Sequence, residues 1–133
     1  MIDVESQVYT KVAEALRAAF PNITVDSTTT LSPSTFPYAC IEEADNYTYS
    51  RTIDSGSNEN HAVVMYEANV YSNKTSGKKK ECKAILAIID DVMNGLGFIR
   101  TAKVPVNMDA ATKYRVSARY TAVISKTQTI YRR

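Results

Sequence analysis

Apolar residues recur along this chain with two periods, one close to four residues and one of two. Residues 3–20 carry apolar side chains at every fourth position, and residues 80–96 carry a broad apolar stripe at helical spacing. Both patterns are typical of amphipathic helices that bury one face. Pro21 ends the first predicted helix, and Gly95 and Gly97 are placed to end the second.

The alternating period predicts five strands, and the clearest one lies near the C-terminus. Across residues 114–125 every second residue is apolar, and the residues between are mostly polar. This is the pattern of a strand with one buried face. The other predicted strands span residues 22–27, 38–52, 61–73 and 98–108.

These elements predict the fold class. Their order is α-β-β-β-α-β-β, and short turns between consecutive strands favour antiparallel pairing. We predict an α+β fold, a two-layer sandwich in which two amphipathic helices cover one face of a mostly antiparallel sheet. The 133 residues are expected to form a single domain, 1–133, with a projecting hairpin at about 45–62 and a short polar C-terminal tail at about 126–133.

Charge is distributed unevenly along the chain. Residues 1–66 hold nine acidic and three basic residues, and residues 67–133 hold five acidic and thirteen basic ones, for a net charge of +2. Such an asymmetry suits nucleic-acid binding, or a contact between the acidic part of one subunit and the basic part of another. Alternatively, the fold mixes the two parts in space and cancels the asymmetry.

The residue types that most small enzymes use are sparse. The single histidine, His61, excludes a His-pair metal site, and Cys40 and Cys82 lack CxxC partners, which argues against a zinc site. The two cysteines are far apart in the sequence, and Cys40 has apolar neighbours, so we expect them to be reduced and partly buried. Alternation places Glu43 and Asp45 on one strand face, but no acidic loop with glycine accompanies them, and we interpret them as solvated. We therefore expect no enzymatic activity, no metal and no cofactor.

The N-terminal sequence bears on the compartment. It is acidic and lacks the basic region and apolar run of a signal peptide. No stretch approaches the roughly 18 apolar residues of a membrane span. We therefore expect a protein that is made and kept in a cytoplasm, without a membrane partner.

Two segments carry a resemblance to a known family. The second predicted helix ends in MNGLGFIR, residues 93–100, and the last strand reads YRVSARYTAVI, residues 114–124. Together with the N-terminal helix and the central hairpin, this order of parts resembles the tail terminator proteins of long-tailed bacteriophages and prophages. That group includes tail-to-head joining and minor tail proteins. The resemblance covers nearly the whole chain in order and length.

The resemblance implies a structural virion protein that assembles into a ring, typically a hexamer, as in siphoviruses. Such a ring caps the tail tube, stops tube polymerisation and provides the docking surface for the head connector. The implied partners are other copies of the chain, the tail tube protein and the head–tail connector protein, with DNA only passing through the lumen. The implied location is the host cytoplasm during assembly and then the head-proximal end of the virion tail.

The resemblance also suggests which residues lie in subunit contacts. We expect Arg115 and Arg119 to meet carboxylates of the adjacent subunit, and the hairpin tip at residues 47–60 to contact a neighbour or the tube. The candidate interface residues are Glu42, Glu43, Asp45, Tyr47, Tyr49, Arg51, Arg115 and Arg119.

Two other functions stay open. A neck or completion protein on the head side would share the size and architecture of a tail terminator. A small nucleic-acid-binding module would use the basic C-terminal half of the chain. Its affinity would fall steeply as the salt concentration rises.

Overall fold

The computed structural model describes residues 4–27, 33, 35–48, 61–106, 113–125 and 130–131. The predicted α+β class and element order are confirmed, and a short strand, β6, follows within the predicted polar tail. The elements are α1 (Glu5–Ala19), β1 (Thr24–Asp26), β2 (Tyr38–Thr48), β3 (His61–Ser72), α2 (Lys78–Leu96), β4 (Ile99–Val106), β5 (Tyr114–Ser125) and β6 (Ile130–Tyr131).

The strands form one sheet in the order β1-β2-β3-β5-β4, with β6 paired to β5. Every pairing is antiparallel except that of β1 with β2, which is parallel. β2 and β3 form a long hairpin that stays paired as far as Thr48 and Ala62. The tip of the predicted projecting hairpin, residues 49–60, lies outside the described residues.

Both helices pack on one face of the sheet and close the core. The alternating residues of β5 lie there as predicted, with Tyr114 partly buried and the next five apolar positions buried. The stripe of α2 supplies Cys82, Ile85, Leu86, Ile89 and Met93. Each large apolar side chain buried in this way contributes about 1.5–3 kcal/mol relative to leaving it exposed.

The end of α2 is set by one glycine. Gly97 has a φ of +100°, and its N–H donates to the Asn94 carbonyl at 3.1 Å. The Phe98 N–H then donates to the Met93 carbonyl at 2.9 Å. Gly95 was predicted to be a second stop signal, and that prediction is wrong because Gly95 lies inside the helix. Leu96 still packs against the core as part of the helix, so the left-handed turn comes at Gly97, two residues after Gly95.

Alanine substitutions at the two glycines are therefore expected to change the free energy of unfolding in opposite directions. Gly97→Ala is expected to lower the free energy of unfolding by about 1–2 kcal/mol, because an L-residue is strained at positive φ. Gly95→Ala is expected to raise it by about 0.5–1 kcal/mol, because an added Cβ meets no atom within 4 Å and alanine favours the helix. Urea unfolding of both variants measures this, and shifts of the same sign would contradict it.

A bulge in β2 separates two carboxylates that alternation places together. Glu43 pairs with Tyr66, whereas Asp45 pairs with the preceding residue, Met65. The extra residue, Ala44, moves the rest of the strand by one position. Glu43 therefore lies on the helix face of the sheet and Asp45 on the opposite face, so the prediction that both share one face is wrong.

Candidate functional site

The sheet face opposite the helices carries a ladder of polar side chains, and we call it the outer face. Glu67 and Asn69 project there from β3, and Arg115 and Arg119 project there from β5. The strand register places Arg119 opposite Glu67 and Arg115 opposite Tyr71. Because side chains alternate across a strand, these four polar residues lie on one continuous surface.

Hydrogen bonds join this ladder into one network. Arg119 Nε donates to Glu67 Oε2 at 3.1 Å, and Asn69 Nδ2 donates to Glu67 Oε1 at 3.0 Å. Arg115 donates twice to Asn69 Oδ1, from Nε at 3.1 Å and from Nη2 at 2.8 Å. Asn69 itself is fully buried. The network therefore fixes both arginines against β3 of their own chain.

A small apolar cluster supports Arg115 from one side. The Arg115 guanidinium lies 5.2 Å from the centre of the Tyr71 ring, which in turn meets the Tyr38 ring edge-on at 5.7 Å. Burial raises the pKa of Tyr71, and the positive charge of Arg115 opposes that rise. Tyr38 donates from its hydroxyl to Asp26 Oδ2 at 3.2 Å, and its pKa is raised mainly by burial. The cluster therefore packs against Arg115 at this end of the outer face.

The predicted acidic residues fall in different places. Glu42 lies on the outer face opposite Glu67, so Glu42, Glu67 and Arg119 share one row across three strands. Asp45 is exposed on the same face. Glu43 is on the helix face, where its N–H donates to Glu5 Oε2 at 2.9 Å. Glu42 and Asp45 therefore share a surface with the two arginines, and Glu43 does not.

The remaining candidates belong to the hairpin. Tyr47 lies in β2 opposite Val63. Tyr49 and Arg51 fall outside the described residues. The predicted roles of these three residues in contacts with the tube or a neighbour stay predictions.

Sequence reasoning missed Glu67 and Asn69, which hold the two arginines. The period of two along residues 61–73 already placed them on the polar side of their strand. The sequence pattern does not show that β3 pairs with β5, because α2 and β4 separate these two strands in the chain. The intrachain partners of Arg115 and Arg119 followed only from that pairing.

The charge asymmetry of the sequence persists across the sheet. β1 and β2 carry the acidic residues Asp26, Glu42, Glu43 and Asp45 and no basic residue. β4 and β5 carry the basic residues Arg100, Lys103, Arg115 and Arg119 and no acidic one. Because these pairs of strands lie on opposite sides of β3, one edge of the sheet is acidic and the other basic. Folding does not mix the two charges within this layer.

On the helix side, Asp90 of α2 links two residues of the basic half. The buried Tyr120 donates from its hydroxyl to Asp90 Oδ1 at 3.1 Å, and Arg100 Nη1 donates to the same oxygen at 3.2 Å. Burial is the main cause that raises the pKa of Tyr120, and the Asp90 charge adds to it. A shallow groove between α2 and β4 opens beside this pair, with Lys83 and Lys103 also on its walls.

Both cysteines are buried and neither forms a disulfide. The Cys82 Sγ lies 3.7 Å from the carbonyl oxygens of Val70 and Tyr114, and its one S–H can donate to either of them. Burial raises the pKa of Cys82 to about 12. This thiol packs as a small apolar side chain and is held in its neutral form.

The raised pKa values predict alkaline destabilisation. Cys82 and three tyrosines have higher pKa values in the folded chain than their ordinary ones, which are 9.0 and 10.0. Below pH 9 the groups are neutral in both states. Above it the unfolded chain ionises first, so stability is expected to fall as the pH rises from about 9 to 12. A urea midpoint that stays constant between pH 8 and pH 10.5 would contradict this.

Other kinds of site have little support in the described part of the chain. Within it, no three histidine, cysteine, aspartate or glutamate side chains gather closely enough to hold a metal ion. Neither α1 nor α2 has the length and apolar content that a membrane-crossing helix needs.

Comparisons with known proteins indicate the fold. The chain is similar in structure to a chain of the "Virion of native gene transfer agent (GTA) particle", with a TM-score of 0.65 and 14% identity over 92% of this chain and 94% of that one. It also matches the gp17 protein of bacteriophage SPP1, with a TM-score of 0.41 and 18% identity over 88% and 89% of the two chains. No protein-family model matches, and no curated protein matches in sequence. At 14% identity, the likeness to the gene transfer agent chain establishes a shared fold and no shared role.

Proposed function

We propose that this chain is a structural protein of a phage-type virion that acts at the junction of tail and head. The observation that carries the proposal is the fold shared with a virion chain along nearly the whole of both chains, with a TM-score of 0.65. The chain would work by assembly and not by catalysis. Its place would be the host cytoplasm during assembly and the head-proximal end of the tail afterwards.

Within that class, we favour a tail terminator that forms a ring, with six subunits as the expected number. A ring needs head-to-tail contacts in which two different patches of one subunit complement each other. The acidic and basic edges of the sheet are such a pair of patches. The ring would cap the tail tube, stop its polymerisation and receive the head connector.

The proposed contacts use the outer face and the hairpin. Glu42, Asp45, Arg115 and Arg119 share the outer face, and the hydrogen-bond network orders the two arginines. Ordered side chains lose less entropy when a partner binds, which favours a specific contact. The hairpin at about 45–62 would extend from the single domain to the tube or to a neighbouring subunit.

A head-side neck or completion protein is the alternative within the same class, and it would assemble on the head connector instead of on the tube. The second alternative is a nucleic-acid-binding module, which would use the four basic residues of β4 and β5. The three functions differ in what the purified chain would bind: the tail tube for a terminator, the head connector for a neck protein, and nucleic acid for the third.

Native mass spectrometry of the purified chain tests the proposal. The chain is measured across concentration, alone and with tail tubes assembled from the tube protein of the same genome. We expect a closed ring, either free or formed on the tubes. A ring that forms only with purified head connector would favour the head-side alternative.

The contradicting result is equally specific. A chain that stays monomeric at all concentrations and ignores both tubes and connectors is not a terminator. Binding to duplex DNA that falls with the expected steep salt dependence would then support the nucleic-acid module. If the chain forms rings instead, we expect the same titration to show only weak binding to duplex DNA.

A further inference from the structure

The β4 strand forms the basic edge of the sheet, and much of its surface is open. Within the described residues its one strand partner is β5, which lies on one side of it. The six residues from Arg100 to Pro105 are all exposed, and Val104 is 52% exposed. An exposed edge of this length is a natural surface for contact with another chain.

Two features of β4 make simple strand addition unfavourable. The register shifts between Arg100 and Ala102, and Pro105 has no N–H to donate. Bulges and prolines at edges are devices that limit pairing with unrelated strands. A specific partner of this edge would therefore be recognised through side chains and their charge.

The two cations of β4 lie on the helix side of the sheet. Arg100 pairs with Tyr120 and Lys103 with Ala118, and both of these β5 residues face the core. Arg100 is 46% exposed while it contacts Asp90. Lys103 forms no ion pair with any described residue. The adjacent groove also holds Lys83 and Asp91, so three cations face two carboxylates there.

The acidic edge presents its carboxylates on the opposite face. Asp26 pairs with Cys40, so it lies on the outer face with Glu42 and Asp45. Asp26 accepts hydrogen bonds from the Ser27 N–H and the Tyr38 hydroxyl. Asp45 accepts one from the Asn46 N–H. Neither Asp26 nor Asp45 is in contact with a cation of the described chain.

The strand register places these cations and carboxylates at interleaved levels. Through the pairings across β5 and β3, Lys103 shares a row with Ile41, and Arg100 shares a row with Glu43. Neighbouring rows are about 3.3 Å apart along the strands. From one end of the sheet to the other, the five charged levels follow in the order Asp26, Lys103, Glu42, Arg100 and Asp45.

We propose that neighbouring copies of this chain overlap, with the helix side of β4 in one copy resting on the outer face of the β1–β2 edge in the next. A rotation about an axis along the strands preserves the level of each row. Lys103 then lies between Asp26 and Glu42 of the next copy, and Arg100 lies between Glu42 and Asp45. Overlap, in place of a flat edge-to-edge contact, follows because the cations and carboxylates occupy opposite faces. This inference rests on the proposed ring and names its contact.

Charge reversal at Lys103 tests the contact. Lys103 is exposed, so we expect its substitution to leave the core unchanged. The ring-forming concentrations of wild type, Lys103→Glu and the double variant Lys103→Glu/Asp26→Lys are compared by native mass spectrometry, with and without tail tubes. We expect Lys103→Glu to require at least about tenfold more protein, because like charges then face each other. The double variant should recover most of that loss.

Lys11→Glu is the matched control. Lys11 is an exposed lysine on α1, and its reversal changes the net charge by the same amount as Lys103→Glu. It should assemble like wild type, and the two single variants, Lys103→Glu and Lys11→Glu, should keep the wild-type urea midpoint. A Lys103→Glu chain that forms rings at the wild-type concentration overturns this contact while leaving the ring intact. A wild-type chain that never assembles, alone or on tubes, overturns the contact and the proposed function together.

Discussion

Ile89→Ala is expected to lower the free energy of unfolding by about 3–4 kcal/mol, the largest effect that we predict for a single substitution. Ile89 is fully buried on the stripe by which α2 covers the sheet. Removing its outer carbons loses their transfer free energy and leaves a cavity that the rigid strands cannot fill. Urea unfolding monitored by circular dichroism measures the loss, with the slope m expected to remain unchanged.

The adjacent residue, Ile88, supplies the control. It has the same side chain on the same helix, but it is only partly buried at the margin of the core. Ile88→Ala is expected to cost less than half as much as Ile89→Ala. Less apolar surface is lost from the core at Ile88, and the space left by the missing carbons is open to solvent instead of forming a closed cavity. Equal losses at the two positions would mean that α2 faces the sheet differently.

Asn69→Leu is expected to cost about 2–3 kcal/mol, although leucine has a similar volume and is more apolar. The Asn69 amide is fully buried and connects Arg115 to Glu67. Leucine removes the acceptor of two charge-assisted hydrogen bonds and leaves both charged partners less well satisfied. The urea midpoint measures the effect, and a loss below about 1 kcal/mol would contradict it.

Two comparisons separate the network from general polarity. Asn73→Leu changes the same residue type at an exposed position just after β3 and should shift stability by no more than about 0.5 kcal/mol. The double variant Asn69→Leu/Arg115→Met should lose less stability than the sum of its two single variants. With Arg115 replaced, no guanidinium is left without the acceptor that Asn69 supplied. Additive losses would show that the two residues are not coupled.

These two experiments also bear on the proposed assembly. The core substitution tests the layer that supports the sheet, and the Asn69 substitution tests the fixed arginines of the outer face. Because Arg119 is bound to Glu67, Arg115 to Asn69 and Arg100 to Asp90 within one chain, the cation best placed to meet a neighbour is Lys103 on the β4 edge. Glu42 and Asp45, two of the carboxylates suggested by the sequence, would take part in the proposed contact.

The sequence by itself determined both helices, the first five strands and their layering. The spacing of apolar residues located both helices, and the apolar residue at every second position of residues 114–125 identified the face that the helices cover. These patterns suffice because a helix or strand at the surface of a core must repeat its apolar residues with its own geometric period. The uneven charge was also visible, but whether folding would cancel it was not.

The tertiary structure alone decided which side chains meet. The bulge at Ala44 moved Asp45 to the face opposite Glu43, and no local pattern marks such an insertion. Pairing of β3 with β5 brought Glu67 to Arg119, residues that are 52 positions apart in the chain. Strand order placed β1 and β4 at opposite edges and so kept acidic and basic residues apart. Local periodicity specifies the face on which a residue lies, whereas register and strand order arise from long-range packing that the whole chain settles together.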